Sequence, residues 1–166
     1  MKKIIGNKNI FAIQYEFSQV EVNLVYGYIC YWIKGIQVGD FLKLTILNDS
    51  LIFLPRIIKD KGNREHKKFF DMDKKNVCYF LGGQAYWDSD EYEEIAMEEM
   101  WARFNIKIGL DVFNNAIIKL IDGQDVSRIV FSYNDIVNEL YLEKGVVDDV
   151  ILSFYEELMD FGEVKK

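Results

Sequence analysis

Residues 24–40 read LVYGYICYWIKGIQVGD, and the first ten of them carry no charge, four aromatic rings and one cysteine. That run is half the roughly 20 residues an apolar helix needs to span a bilayer. Both parities are apolar: Tyr26, Tyr28, Cys30 and Trp32 on one face, Val25, Ile29, Tyr31 and Ile33 on the other. Such a run predicts a strand near the middle of a sheet, covered on both sides. Lys34-Gly35 then supplies a tight turn, because Gly accepts the positive φ that hairpins need. Ile36 to Phe41 is expected to return as a short strand.

Working outward, FAIQYEF at 11–17 alternates, with Phe11, Ile13, Tyr15 and Phe17 facing one way and Gln14 and Glu16 the other. That is a strand with one wet face. After Thr45, an expected N-cap, Leu47, Leu51, Leu54 and Ile58 recur at helical spacing. Pro55 predicts a kink or early end there, and Gly62 a C-cap. Short helical pieces are expected over 64–81, and a helix capped by Asp90 with Glu93 reaching back. Its apolar stripe is Tyr92, Ile95, Ala96 and Met100. WARFNIKI at 101–108 returns to period two and reads as a strand, followed by strands at about 116–121, 127–133 and 136–142. The last helix has the clearest stripe: Val147, Val150, Ile151, Phe154, Leu158 and Phe161. The expected class is α+β: antiparallel sheets from an N-terminal and a C-terminal strand block, helices between them, and a C-terminal helix packed on the sheet.

The 166 residues are 50% hydrophobic and 28% charged, with one proline, which predicts a single domain over residues 1–166. Twenty bases against 27 acids give a net charge of −7. That balance disfavours nucleic acid or an anionic membrane as partner, since both need clustered Lys and Arg. Cys30 and Cys78 lack C-x-x-C spacing and are expected to be reduced thiols of a cytosolic protein. At the N-terminus Asn7, Lys8 and Asn9 interrupt the apolar segment a signal peptide requires.

Little in the chain points to catalysis. Phosphate-loop, zinc-helix and nucleophile-elbow motifs are missing from the sequence. The one histidine, His66, has Glu65 adjacent in sequence rather than oriented to support it, and a surface or capping role is expected. No cofactor, metal site or catalytic residue is expected. DSDEYEEIAMEE at 88–99 stands apart, with seven acids and no base: Asp88, Asp90, Glu91, Glu93, Glu94, Glu98 and Glu99. Without them 27 − 7 = 20 acids would balance 20 bases, so this window carries the whole net charge. It reads either as a solvated helix face or as a patch that steers a basic partner; calcium would want a D-x-D-x-D-G loop, which is missing. Tyr86 and Trp87 beside it are interface-anchor types. The candidate partner-binding residues are therefore Tyr86, Trp87, Asp88, Asp90, Glu91, Glu94 and Glu98.

Four segments taken in order, GNKNIFAIQYEF (6–17), YGYICYWIKGIQVGDF (26–41), KGNREHKKFF (61–70) and MEEMWARFNIKIGLDVFNNAIIKLID (97–122), resemble the immunity protein 42 family of bacterial polymorphic toxin systems. Pro55 and Lys61 depart from the family pattern. The matching positions include Gly27, Trp32, Gly39, Asp40, Gly62, Asn63, Arg64 and Trp101, which are expected to be structural, Asp40 and Arg64 by pairing or capping internally. The resemblance implies a small cytoplasmic, non-enzymatic protein that binds and neutralises a cognate toxin domain in intercellular competition. It transfers no toxin-contact residue and no oligomeric state. A cytosolic adaptor using the same acidic helix, and a small hydrolase using carboxylates and His66, are the alternatives.

Overall fold

The computed structural model describes residues 1–21 and 24–164, with the side chains of all of these except 86, 87, 163 and 164. The chain runs through β1 (Lys3–Gly6), β2 (Phe11–Glu21), β3 (Leu24–Ile33), β4 (Ile36–Val38) and β5 (Thr45–Ile46). A 3-10 helix (Leu47–Ile52) and α1 (Leu54–Lys59) follow, then α2 (Lys67–Asp71), α3 (Lys74–Leu81), α4 (Gln84–Asp88) and α5 (Asp90–Glu98). Short 3-10 turns at Trp101–Phe104 and Asp111–Phe113 lead into β6 (Ala116–Asp122), β7 (Val126–Tyr133), β8 (Ile136–Glu143) and α6 (Val146–Val164). The class is α+β, with the described strands in two antiparallel sheets. Two compact units result: Met1–Lys59 with Ile108–Asn114 and Gly145–Lys166, and Asp60–Lys107 with Asn115–Lys144.

In the first unit β3 is the central strand. β2 pairs along its length, while β4 takes its C-terminal end (Ile33↔Ile36) and β5 its N-terminal part (Gly27↔Thr45). Lys34 and Gly35 both have positive φ, 56° and 76°, the geometry that matches the twist of a two-residue hairpin. The register of β2 slips between Phe17 and Gln19, opposite Gly27, where a Cβ would lie 2.4 Å from the Glu16 carbonyl oxygen. Only Gly permits that approach. Val25, Ile29, Tyr31 and Ile33 are buried with Phe11, Ile13 and Tyr15. Over this face, Phe154 and Phe161 of α6 meet Tyr15 and Phe17 with ring centroids 5.1 and 4.2 Å apart. Val147, Val150, Ile151, Phe154 and Leu158 of α6 are buried, each worth about 1.5–3 kcal/mol.

The opposite face of β3 departs from the expectation. Cys30 is buried, but Tyr26, Tyr28 and Trp32 are only half-buried. Lys8 Nζ lies 4.0 Å from the centre of the Trp32 ring, and Gln14 Oε1 accepts from both Trp32 Nε1 (2.9 Å) and Lys8 Nζ (2.8 Å). Amphipathic rings shield the sheet with their bodies and keep a polar edge in contact with polar groups, so they read as core in the sequence without being so.

The segment after β4 also differs. Thr45 lies in β5 rather than capping a helix, and its hydroxyl donates to Asp111 Oδ1 at 3.0 Å. Pro55 sits in the first turn of α1, where its missing N–H costs nothing. One expected helix therefore becomes a 3-10 helix followed by a short α-helix.

In the second unit β6, β7 and β8 form a meander in that order, its second turn carried by Asn134 and Asp135 at φ 49° and 65°. Phe69, Val77, Cys78, Leu81, Trp101, Phe104, Ile121 and Val130 make the core. Arg128 of β7, 3% exposed, donates to the Phe70 and Met72 carbonyls (2.8 and 2.6 Å) and twice to Glu139 Oε2 (3.0 and 2.7 Å). One guanidinium thus satisfies the C-terminal end of α2 and an acid on β8. The expected strand at 101–108 does not form: Trp101–Phe104 turns as a 3-10 helix, and only an isolated bridge, Asn105↔Lys119, joins β6. Phe104 and Ile106 are buried, so the alternation is genuine, but Met100 at φ 50° redirects the chain before a ladder can start.

Candidate functional site

The acidic stretch maps to α4 and α5 of the second unit. Ser89, not Asp90, is the N-cap of α5: its hydroxyl accepts from Glu91 N at 3.2 Å. This frees Asp90, Glu91 and Glu93 to fill the first turn, where the positive end of the helix dipole favours them. The dipole does not account for the rest. Asp90–Glu94 and Glu94–Glu98 are like-charge pairs at i,i+4 spacing, each destabilising by about 0.2–0.5 kcal/mol. At the C-terminal end Arg103 reaches back, Nη1 donating to the Glu99 carbonyl, and so compensates the terminus rather than the carboxylates.

All seven acids of residues 88–99 are exposed. Asp88 accepts from the Tyr79 hydroxyl, which raises that phenol above its ordinary pKa. Glu99 lies 3.9 Å from His66 Nε2, an ion pair only when the imidazole is charged. Burial holds His66 below its usual pKa, with Glu99 opposing that shift. The His66 ring instead serves the fold: Nδ1 accepts from Phe69 N (3.3 Å) as the N-cap of α2, and the ring stacks on Phe69 at 4.1 Å. Asp90, Glu91, Glu93, Glu94 and Glu98 make no ion pair among the described residues. The side chains of Tyr86 and Trp87 lie outside the described ones; their backbone belongs to α4.

The apolar stripe expected for α5 is only partly covered. Ala96 is buried and Tyr92 half-buried against Phe80 (5.4 Å), but Ile95 is 37% and Met100 68% exposed. Met97, which the periodicity did not single out, is 74% exposed. Along one side of the helix, Glu93, Ala96, Met97, Met100, Trp101 and Ala102 line an open groove of about 390 Å³. On the other side a smaller cavity of about 160 Å³ is walled by His66, Phe69, Phe80, Tyr92 and Trp101.

The positions shared with the resembling family have local neighbours. Gly39, at φ +101°, would bring a Cβ within 2.9 Å of the Phe113 ring, and Asp40 Oδ1 accepts from Leu42 N at 3.0 Å. Gly62 is at φ +82° and Asn63 N donates to the Asp60 carbonyl at 3.0 Å. Arg64 is fully buried, Nε donating to the Arg103 carbonyl at 3.0 Å, and its own carbonyl accepts from Asp122 N. Trp101 is buried edge-on to Phe69 at 5.2 Å. Among the described residues there is no group of three or more His, Cys, Asp or Glu placed to hold a metal ion, and no helix long and apolar enough to cross a membrane.

The family model for immunity protein 42 matches residues 1–157. The chain belongs to the immunity protein 42 family. No curated protein matches it in sequence. Among solved structures, it is similar to the crystal structure of CdiI from Burkholderia dolosa AUO158, with a TM-score of 0.72 at 15% identity, over 93% of this chain and 99% of that one. At that identity the likeness concerns the fold. The acidic face of α5 is a surface feature of this fold, while Ala96 and Tyr92 tie the helix to the core of the second unit.

Proposed function

We propose that this member of the immunity protein 42 family is a cytoplasmic, non-enzymatic inhibitor that binds a cognate toxin domain and neutralises it by occupying or distorting its active surface. The observation that carries the reading is the family match over residues 1–157, which runs through both compact units and so favours one working domain over residues 1–166. The contact surface is the acidic face of α4 and α5, comprising Asp88, Asp90, Glu91, Glu94 and Glu98, with Tyr86 and Trp87 beside it. Support comes from α5 itself: it keeps like charges at i,i+4 spacing against its own stability and leaves them without partners among the described residues. A specific interface needs about 800 Å² per partner, more than one helix face, so neighbouring surface joins it. A basic toxin surface would be drawn to this patch, a field able to raise association rates by about 10–1000-fold at low salt.

The test is co-expression with the toxin domain encoded by the adjacent gene. Rescue of growth and co-purification are expected. Reversing Glu91, Glu94 and Glu98 to Lys is expected to slow association and remove its salt dependence; protection and kinetics equal to wild type would sink the assignment of this surface.

A further inference from the structure

We propose that the groove at the C-terminal end of α5, floored by Ala96 and Trp101 and walled by Met97 and Met100, is an anchor site that receives an apolar side chain projecting from a basic face of the toxin domain; this rests on the immunity reading above. The groove holds about 390 Å³, within the range of clefts that receive ligands. Its walls are two methionines, 74% and 68% exposed, and methionine is the side chain that most readily reshapes around different apolar partners.

Met100 is doubly out of place for a residue that serves only this chain. It stands just past the end of α5 at φ 50°, the left-handed position where Gly or Asn ends a helix without strain. A long apolar side chain there strains the backbone and also faces water. Left-handed backbone also serves ordinary turns, as at Lys34, so it is the exposed apolar chain at Met100, beside that of Met97, that points to contact. Charge fixes the occupant's surroundings. Glu93 lines the groove, Glu94 lies within one turn of Met97, and neither makes an ion pair among the described residues. An apolar group carried on a neutral or acidic surface would meet uncompensated carboxylates at this rim. One flanked by Lys or Arg would pair with them while its apolar part filled the groove. That is the arrangement of a buried anchor inside a polar ring.

The roles of groove and rim separate kinetically: rim charge governs encounter, whereas a filled groove governs escape. The experiment measures association and dissociation of the full-length protein with the toxin domain encoded by the adjacent gene, for wild type, Met97→Ser and Met100→Gly. Met100→Gly removes the side chain and relieves the left-handed backbone together. It is expected to dissociate at least tenfold faster, to associate within about twofold of wild type, and to melt at the same temperature or higher. Met97→Ser is expected to dissociate faster with an unchanged melting temperature. Wild-type binding with both variants dissociating within twofold of wild type overturns the groove alone and leaves the immunity reading standing. Weaker binding by Met100→Gly accompanied by a lower melting temperature also overturns it, by assigning Met100 to the fold. Wild-type protein that neither binds nor protects against that domain overturns the immunity reading, and the groove with it.

Discussion

Replacing Glu94 by Lys is expected to make the protein more stable and a worse partner. Glu94 sits mid-helix on α5, four residues after Asp90 and four before Glu98, exposed and without an ion pair among the described residues. Each like-charge i,i+4 pair costs about 0.2–0.5 kcal/mol, and each opposite-charge pair returns a similar amount. The substitution converts two of the first kind into two of the second, a swing of about 0.8–2 kcal/mol before screening. Exposure keeps the effect near the lower end, about 1 kcal/mol. For a chain of this size that is about 2–4 °C in melting temperature. Thermal unfolding followed by circular dichroism at ~10 mM and ~1 M salt tests it, because the Debye length falls from about 30 Å to about 3 Å. The gain should appear at low salt and largely vanish at high salt, while association with the toxin domain slows. A fall in melting temperature at low salt would refute the reasoning. So would a gain that survives high salt, since neither fits a helix stressed by its own charge.

Three further outcomes follow from buried groups. Arg128→Met withdraws the donors to the Phe70 and Met72 carbonyls and breaks the pair with Glu139; because Glu139 stays partly exposed, the loss expected in urea unfolding comes chiefly from the carbonyls, about 1–3 kcal/mol, while Glu139→Gln, which keeps an acceptor for Arg128, is milder. Because His66 is held below its usual pKa, the folded state binds its proton less readily than the unfolded one, so its share of stability is complete above about pH 6.5 and declines as pH falls below it. His66→Asn, which retains a capping side chain for α2, should flatten that decline when urea midpoints are compared at pH 7.5 and 5.5. Burial pushes the thiols of Cys30 and Cys78 up to about 12 and about 11, so a thiol reagent at pH 8 should label them only as fast as the protein opens.

What the sequence disclosed follows how local each signal is. The β6–β8 meander, the Lys34-Gly35 hairpin and α6 are written in contiguous periodicity and turn chemistry, and all are present within a residue or two. Non-local choices were not legible. Whether 101–108 joins a ladder depends on where the 3-10 turn at Trp101 leaves the backbone, and no residue inside that segment records this. The start of α5 shifted by one residue because Ser89 and Asp90 are both good caps and the choice between them lies in the chain's approach to the helix. Arg128, which ties α2 to β7 and β8, gave no sequence signal at all; a lone arginine in a strand resembles a surface charge until its partners at the Phe70 and Met72 carbonyls are located.

The α5 stripe shows where periodicity reaches its limit. Tyr92, Ile95, Ala96 and Met100 recur at helical spacing, and spacing alone assigns them to a core. The structure buries Ala96, half-buries Tyr92 and leaves Ile95 and Met100 open. Periodicity reports that a helix has an apolar face; it does not report whether the same chain covers that face. In α6 the two coincide, because Tyr15 and Phe17 lie beneath Phe154 and Phe161. In α5 they separate, and the residues left over are those set among the carboxylates that give the protein its net charge. A helix kept only for solubility would be served by alternating charges and a short apolar seam. On the reading proposed above, charge would bring a basic partner in and an apolar seat would hold it, the two roles falling to Glu93, Glu94 and Met97 of α5 and to Met100 just beyond its end.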